Sequence, residues 1–286
     1  MRTSLRSALV VLALSTAGAC AHRAPAAPAT QAGPAAPERW KTVFLDEFDG
    51  ADGALPDPTR WVFDTGGGGW GNQEREYYMN GVENAFQAGG MLHLVARAGA
   101  PASLRCWYGE CTHTSARIKT KGRFAFTYGK LSARIQIPKG QGIWPAFWML
   151  GTNIDGVSWP SCGEIDVMEV IGKQPRVAHG TIHGPGYSGA KGPTAGWSPA
   201  RGEVGDAFHV FALDWEPRRL RFYVDGELYA TRTPDDVPAG ERWVFDHDHF
   251  ILLNVAVGGG WPGDPDGSTS FPAEMLVDWV KVEVRE

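Results

Sequence analysis

The sequence predicts an all-β protein folded as a sandwich of two sheets, and three observations predict it. Apolar residues alternate with polar ones over strand-length segments, glycine-rich turns separate those segments, and no stretch carries a long 3.6-period apolar stripe. Met91-Leu92-His93-Leu94-Val95-Ala96-Arg97 alternates directly after Gly89-Gly90, as a strand after a turn does. Further strands are expected over residues 117–121, 130–137, 144–150, 177–183, 209–215, 220–224, 249–257 and 276–284. Asp225-Gly226, between Tyr223-Val224 and Leu228-Tyr229, is a two-residue hairpin signal. A short helical turn is expected near residues 234–239. No internal repeat and no second linker interrupts the pattern, so residues 40–286 read as one domain.

The 286-residue chain has room for one large domain behind a leader. Residues 1–20 read as an export signal: Arg2 and Arg6 form the basic end, residues 8–14 the apolar run, and Ala17-Gly18-Ala19-Cys20 the small-residue exit. The run is shorter than the ~18 residues that a membrane span needs. Cys20 stands where a lipoprotein carries its lipid, although Ala17 occupies a place where Leu is more usual. The expectation is therefore an outer-membrane or cell-surface lipoprotein anchored through Cys20, or a secreted or periplasmic protein. Residues 21–39 are rich in Ala and Pro and form no core, which suits an extended linker.

The net charge is −5 and the first 39 residues carry four Arg and one Glu, so the remaining domain is near −8. That balance, with no Lys/Arg cluster, excludes a nucleic-acid partner. Lys119, Lys121, Arg134 and Lys139 read as outer-face charges. Export permits disulfides, and Cys106 and Cys111 enclose a Trp-Tyr-Gly-Glu loop that makes them plausible partners. Cys162 is left over and reads as a small buried residue beneath the acids that follow it. Gly66-Gly67-Gly68-Gly69 lacks the Lys-Ser/Thr of a phosphate loop, and no Cys/His cluster is spaced for zinc. A monomer is expected.

Glu164-Ile165-Asp166-Val167-Met168-Glu169 places three carboxylates in an otherwise apolar run. On a regular strand Glu164 and Asp166 share a face and Glu169 points away. A bulge between Asp166 and Glu169 absorbs one residue and brings all three together. Crowded like charges push pKa values apart, and glycoside hydrolysis needs one ionised carboxylate and one protonated acid. With one bulge the Cα atoms of Glu164 and Glu169 stand about 13 Å apart, and two long side chains leaning together can approach the roughly 5–5.5 Å that retention requires. The residues alone do not say which Glu plays which part. Trp144 and Trp148 share a strand face, Trp159 precedes the acids, and Trp70, Trp107, Trp215 and Trp261 lie in or beside glycine-rich or polar sequence. Flat indole faces match the apolar faces of pyranose rings, whereas Trp61 and Trp279 read as core.

Trp159-Pro160-Ser161-Cys162-Gly163 followed by the acidic run resembles the bulged catalytic signature of glycoside hydrolase family 16. Phe44-Leu45-Asp46-Glu47-Phe48-Asp49-Gly50, Thr114-Ser115-Ala116-Arg117-Ile118, Gly142-Ile143-Trp144-Pro145-Ala146-Phe147-Trp148 and Val277-Asp278-Trp279-Val280 continue the resemblance, which covers essentially residues 40–286. Trp70-Gly71-Asn72-Gln73-Glu74 with Tyr77-Tyr78 resembles the laminarinase-like branch. The resemblance implies a β-jelly roll whose concave sheet bears a groove, and retaining endo-hydrolysis of β-1,3-glucan by double displacement. Mixed β-1,3/1,4-glucan is the alternative substrate; agar- and carrageenan-degrading members share the bulge. A non-catalytic glucan-binding relative would lack the glutamates that this chain keeps. By position, Glu164 is the nucleophile, Glu169 the acid/base and Asp166 the supporting carboxylate. Asn72, Glu74, Arg117, Trp144, Trp148, Trp159 and His183 fall at sugar subsites. Catalysis is expected to need no cofactor. A structural calcium is implied at Glu47, the Gly90 carbonyl and Asp278, away from the groove.

Overall fold

The computed structural model describes residues 39–286. The leader, Cys20 and residues 21–38 of the linker lie outside the described residues. Strands form where aromatic and β-branched residues alternate with polar ones. In chain order they are β1 (Trp40–Asp46), β2 (Val62–Asp64), β3 (Glu76–Tyr78), β4 (Ala85–Ala88), β5 (Met91–Ala98), β6 (Arg105–Cys106) and β7 (Gly109–Glu110). Next come β8 (His113–Ser115), β9 (Arg117–Lys119), β10 (Gly129–Gln136), β11 (Ile143–Gly151), β12 (Glu164–Glu169), β13 (Ala178–His183) and β14 (Thr194–Trp197). The rest are β15 (His209–Glu216), β16 (Arg219–Val224), β17 (Glu227–Arg232), β18 (His249–Val257) and β19 (Ala273–Arg285).

These strands build the two sheets of a jelly roll. The ten-stranded sheet runs β17-β16-β15-β10-β19-β5-β8-β3, with β1 also on β19 and β4 on β5; the seven-stranded sheet runs β14-β13-β12-β11-β18-β9-β2. The central ladders are antiparallel, while β3 lies parallel to β8. Between the sheets, Leu131, Ala133, Ile135, Val280 and Val282 of the larger sheet meet Phe147, Met149, Ile165, Ile251 and Leu253 of the smaller one in a single apolar cluster. Asp225 (φ 51°) and Gly226 (φ 82°) form the expected hairpin between β16 and β17, since both adopt the left-handed conformation such a turn requires. The helical turn predicted near residues 234–239 is a 3₁₀ turn over Pro234–Asp236.

Two tryptophans depart from expectation. Trp215 is not at a groove: it is 1% exposed, donates Nε1 to the Phe245 carbonyl at 3.0 Å and packs edge-on against Phe126 and Tyr128. Trp279 is only half-buried. The pairing of β10 with β19 slips between Arg134↔Trp279 and Ile135↔Val277, so Asp278 is the extra residue of a bulge and the indole leaves the core face. Cys106 and Cys111 are joined by a disulfide with Cα atoms 5.0 Å apart, closing the β6–β7 hairpin. Cys162 is fully buried against Leu150, Phe250 and Leu252, and burial followed by the charge of Glu164 pushes its thiol up to about 11. It is a packing residue.

Candidate active site

The outer face of the seven-stranded sheet follows from its registers, because residues directly opposite on neighbouring strands share a face. On β12, Phe147 faces Met168 but Trp148 faces Asp166, so Val167 is the inserted residue of the bulge. Pairing with β13 shows the same slip between Asp166 and Glu169. Glu164, Asp166 and Glu169 therefore occupy one face. Their cross-strand rows are His183–Glu164–Leu150, Thr181–Asp166–Trp148–Leu252 and His179–Glu169–Ala146–Asn254–Arg117–Asp64.

Each acid has distinct partners. Trp159 Nε1 donates to Glu164 Oε2 at 2.8 Å, and Trp144 Nε1 donates to Glu169 Oε1 at 3.0 Å. His183 Nε2 lies 3.2 Å from Asp166 Oδ2 and 3.7 Å from Glu164 Oε1. Asp166 and Glu169 are buried, and Glu164 is the most open of the three with a side chain 16% exposed. Burial first, and the Asp166 charge second, push Glu164 up to about 8; the His183 side chain, the Trp159 N–H and Arg117 work the other way. Asp166 is likewise pushed up to about 8 by burial. Glu169 is pushed well above the carboxylate range by burial and then by the charges of both Asp166 and Glu164. The three cannot all ionise together. Glu164 has the Trp159 indole donor, the His183 imidazole and the Arg117 guanidinium working against its upward push, whereas Glu169 is pushed up by burial and by both other acids.

Aromatic rings and polar anchors surround the acids. The Arg117 guanidinium is stacked between Trp70 and Trp148, 4.8 Å from each ring centroid, and pairs with Asp64 at 3.0 Å. Trp148 Nε1 donates to Asn254 Oδ1 at 2.7 Å, Asn254 Nδ2 to Tyr78 Oη at 3.1 Å, and Tyr78 Oη to Glu74 Oε2 at 3.1 Å. Glu74, expected at a sugar subsite, lies low in this network. It is 4% exposed, and Asn72 Nδ2 donates to its other oxygen at 2.9 Å, so it orients Asn72 and Tyr78 from below. Trp159 is 47% exposed beside Glu164, an open platform.

Sequence reasoning did not single out Asn254, Tyr78, His179 or Asp64 as site residues. Asn254 carried a signal, as a lone amide in the apolar run of β18, and His179 stands four residues before His183 on the same strand face. Trp261 meets Trp144 edge-on at 5.4 Å and His179 at 5.2 Å, extending the aromatic wall past Glu169. Among the described residues, Glu164, Asp166 and His183 form the one cluster of such side chains with ligand atoms close enough for a metal, within 4.8 Å of one another. These are the groups that carboxylate chemistry itself uses.

Two buried glutamates in unequal surroundings on one face of an aromatic-lined sheet fit a glycoside hydrolase of the two-carboxylate kind. The chain belongs to glycosyl hydrolases family 16, whose profile matches residues 72–281. It is 40% identical over 254 residues to a beta-glucanase of Rhodothermus marinus, covering 85% of each chain. The catalytic domain of an endo-1,3-beta-glucanase (laminarinase) from Thermotoga petrophila superposes with a TM-score of 0.81 at 43% identity, over 87% of this chain and 99% of that one. The endo-beta-1,3-glucanase of Pyrococcus furiosus gives a TM-score of 0.81 at 44% identity, over 87% and 96%.

Proposed function

We propose that the protein is a retaining endo-hydrolase of β-1,3-glucan. The observation that carries the mechanism is the bulge at Val167, which turns Glu164, Asp166 and Glu169 to one face in unequal environments. Glu164 attacks the anomeric carbon as Glu169 protonates the departing oxygen, giving a glycosyl-enzyme ester. Glu169, now ionised, takes a proton from water, which displaces Glu164 and restores both groups. Asp166 and His183 hold Glu164 in place and set its charge. The linkage reading is supported by the relatives named as endo-1,3-beta-glucanases and by the Trp70-to-Glu74 segment. Product release from laminarin, lichenan, agarose and carrageenan tests it: laminarin is expected to be cleaved fastest, and rapid agarose cleavage without laminarin cleavage would overturn it.

Export, with Cys20 lipidated at a membrane surface or the domain released, accompanies this reading; mass spectrometry of membrane-extracted protein distinguishes the two. A structural calcium belongs to it as well. In its support, Asp46 pairs with Val280 and Leu92 with Val277, so the segments leading to Glu47 and Gly90 both border β19, the strand that carries Asp278. Arg134 Nη1 engages Asp278 Oδ2 at 2.8 Å, so the other Asp278 oxygen, the Glu47 carboxylate and the Gly90 carbonyl would be the protein ligands. An ion there binds only the folded chain, so calcium should raise the melting midpoint of metal-stripped protein, and an unchanged midpoint would exclude the site.

A further inference from the structure

Next to Trp261 in the chain, Gly259 and Gly260 border a second concavity that the catalytic chemistry does not use. It is a cleft of about 240 Å³ lined by Gln73, Arg75, Trp107, Gly259, Gly260 and Asp264, among others. Trp107 stands on the disulfide-closed hairpin and is 48% exposed. Its ring is fixed although open: the backbone N–H donates to the Gly67 carbonyl at 2.8 Å and Nε1 to the Glu74 carbonyl at 2.7 Å. Gly69 makes room for it, since a Cβ there would lie 2.8 Å from Trp107 Cδ1.

Opposite the indole, Arg75 donates Nε and Nη2 to the two carboxylate oxygens of Asp264 at 2.9 and 2.6 Å. Its guanidinium lies 5.7 Å from the Trp107 ring and 5.0 Å from that of Tyr108. The cleft thus offers a flat apolar face beside a charge-compensated pair of donors and acceptors. That combination suits an uncharged, many-hydroxyl ring and disfavours an ion. Gln73 in the wall has φ 62°, a left-handed backbone that a non-glycine residue rarely adopts and that recurs at ligand clamps.

The residues of the cleft adjoin those of the active site. Gly260 donates its N–H to the Asn72 carbonyl at 2.9 Å, and the next residue, Trp261, meets Trp144, which donates to Glu169. We infer that the Trp107–Arg75–Asp264 cleft is a remote subsite holding one glucosyl unit of the polysaccharide, beyond the units seated at the catalytic carboxylates. This rests on the reading of the protein as a β-glucan hydrolase. Long chains reach the cleft and short ones do not, so it raises kcat/KM with substrate length. The disulfide holds the platform in place.

The test is kcat/KM on β-1,3-linked glucose oligosaccharides of increasing length for the wild type, Trp107→Ala and Trp107→Phe. Trp107→Ala should lose about tenfold on the longest substrates, the worth of one aromatic stacking platform, and under about twofold on the shortest one cleaved. Trp107→Phe keeps a ring and should recover most of that loss. Asp264→Asn, which loosens the Arg75 pair without removing the platform, should show the same length dependence and serves if Trp107→Ala fails to fold. An equal loss at every length, or none, would overturn the subsite. A wild type that cleaves no glucan of any length would instead overturn the underlying reading and the subsite with it.

Discussion

β10 and β12 are both inner strands of their sheets, yet their side chains are used in opposite ways. On β10, Leu131, Ala133 and Ile135 are fully buried in the core, while Lys130, Ser132, Arg134 and Gln136 face outward and are partly exposed. On β12 all but one residue is buried, because the bulge sends Ile165, Val167 and Met168 to the core and the three acids to a face walled by tryptophans. β10 is organised for stability. β12 gives up stability, since burying carboxyl groups raises their affinity for protons and disfavours the ionised forms that unfolding would release. The cost is the means of catalysis: the same burial that raises Glu169 keeps an acid protonated where an exposed glutamate would have lost its proton.

The contrast should be sharpest for the two glutamates. Glu164→Gln or Glu169→Gln should lower kcat on the order of 10²–10⁴-fold or more, as loss of a nucleophile or acid/base does. Their thermal midpoints near neutral pH should stay level or rise. A folded carboxyl with a raised pKa binds its proton more tightly than the unfolded chain does, so folding is disfavoured progressively as pH climbs above the unfolded pKa of about 4.3. Removing such a group removes that penalty. A variant that loses both activity and several degrees of midpoint would mean that the acids are structural.

Asp166→Asn should cost less, about tenfold, equivalent to ~1.4 kcal/mol of barrier, because no bond-making atom is removed. The Asp166 charge helps to raise both Glu164 and Glu169. Activity needs Glu164 ionised and Glu169 protonated, so both limbs of the pH–rate profile should move toward acid in this variant. Limbs that stay put would show that Asp166 does not tune the pair.

The contrast extends to a buried acid outside the reaction. Glu76 is 0% exposed; the Val257 N–H donates to its Oε2 at 2.7 Å, and its Oε1 has no donor. Burial, then the neighbouring charge of Glu74, pushes it well above the carboxylate range. By the same sign as above, the wild type should lose stability on the alkaline side, and Glu76→Gln should flatten that loss with little change in kcat, read as melting midpoint against pH. The smallest effect belongs to β10. Lys130→Ala removes an ammonium 4.2 Å from the Trp40 ring centroid and should cost about 0.5–1 kcal/mol in stability and nothing in turnover.

Most of the fold was legible because period-two alternation and glycine turns are local signals. The expected strand over residues 249–257 is β18 to the residue, and the bulge in β12 could be inferred from the spacing of its acids. What escaped depends on long-range register. The slip at Asp278 moved Trp279 off the core face, and packing between sheets, invisible beside the polar Asp214, Glu216 and Arg218, buried Trp215. The chain Trp148–Asn254–Tyr78–Glu74 joins residues up to 180 positions apart through pairings that no local pattern encodes. The short strands β2, β3 and β14 were unreadable because three or four residues carry too little periodicity.

That Glu164 and Glu169 act as nucleophile and acid/base on one face of β12 is open to direct measurement. Proton NMR of the anomer first formed from a β-1,3-glucan tests it most directly, before mutarotation mixes the products. Double displacement inverts the anomeric carbon twice, so the product first formed is expected to be the β-anomer. An initial α-anomer would mean that water, not Glu164, attacks that carbon, and would contradict it.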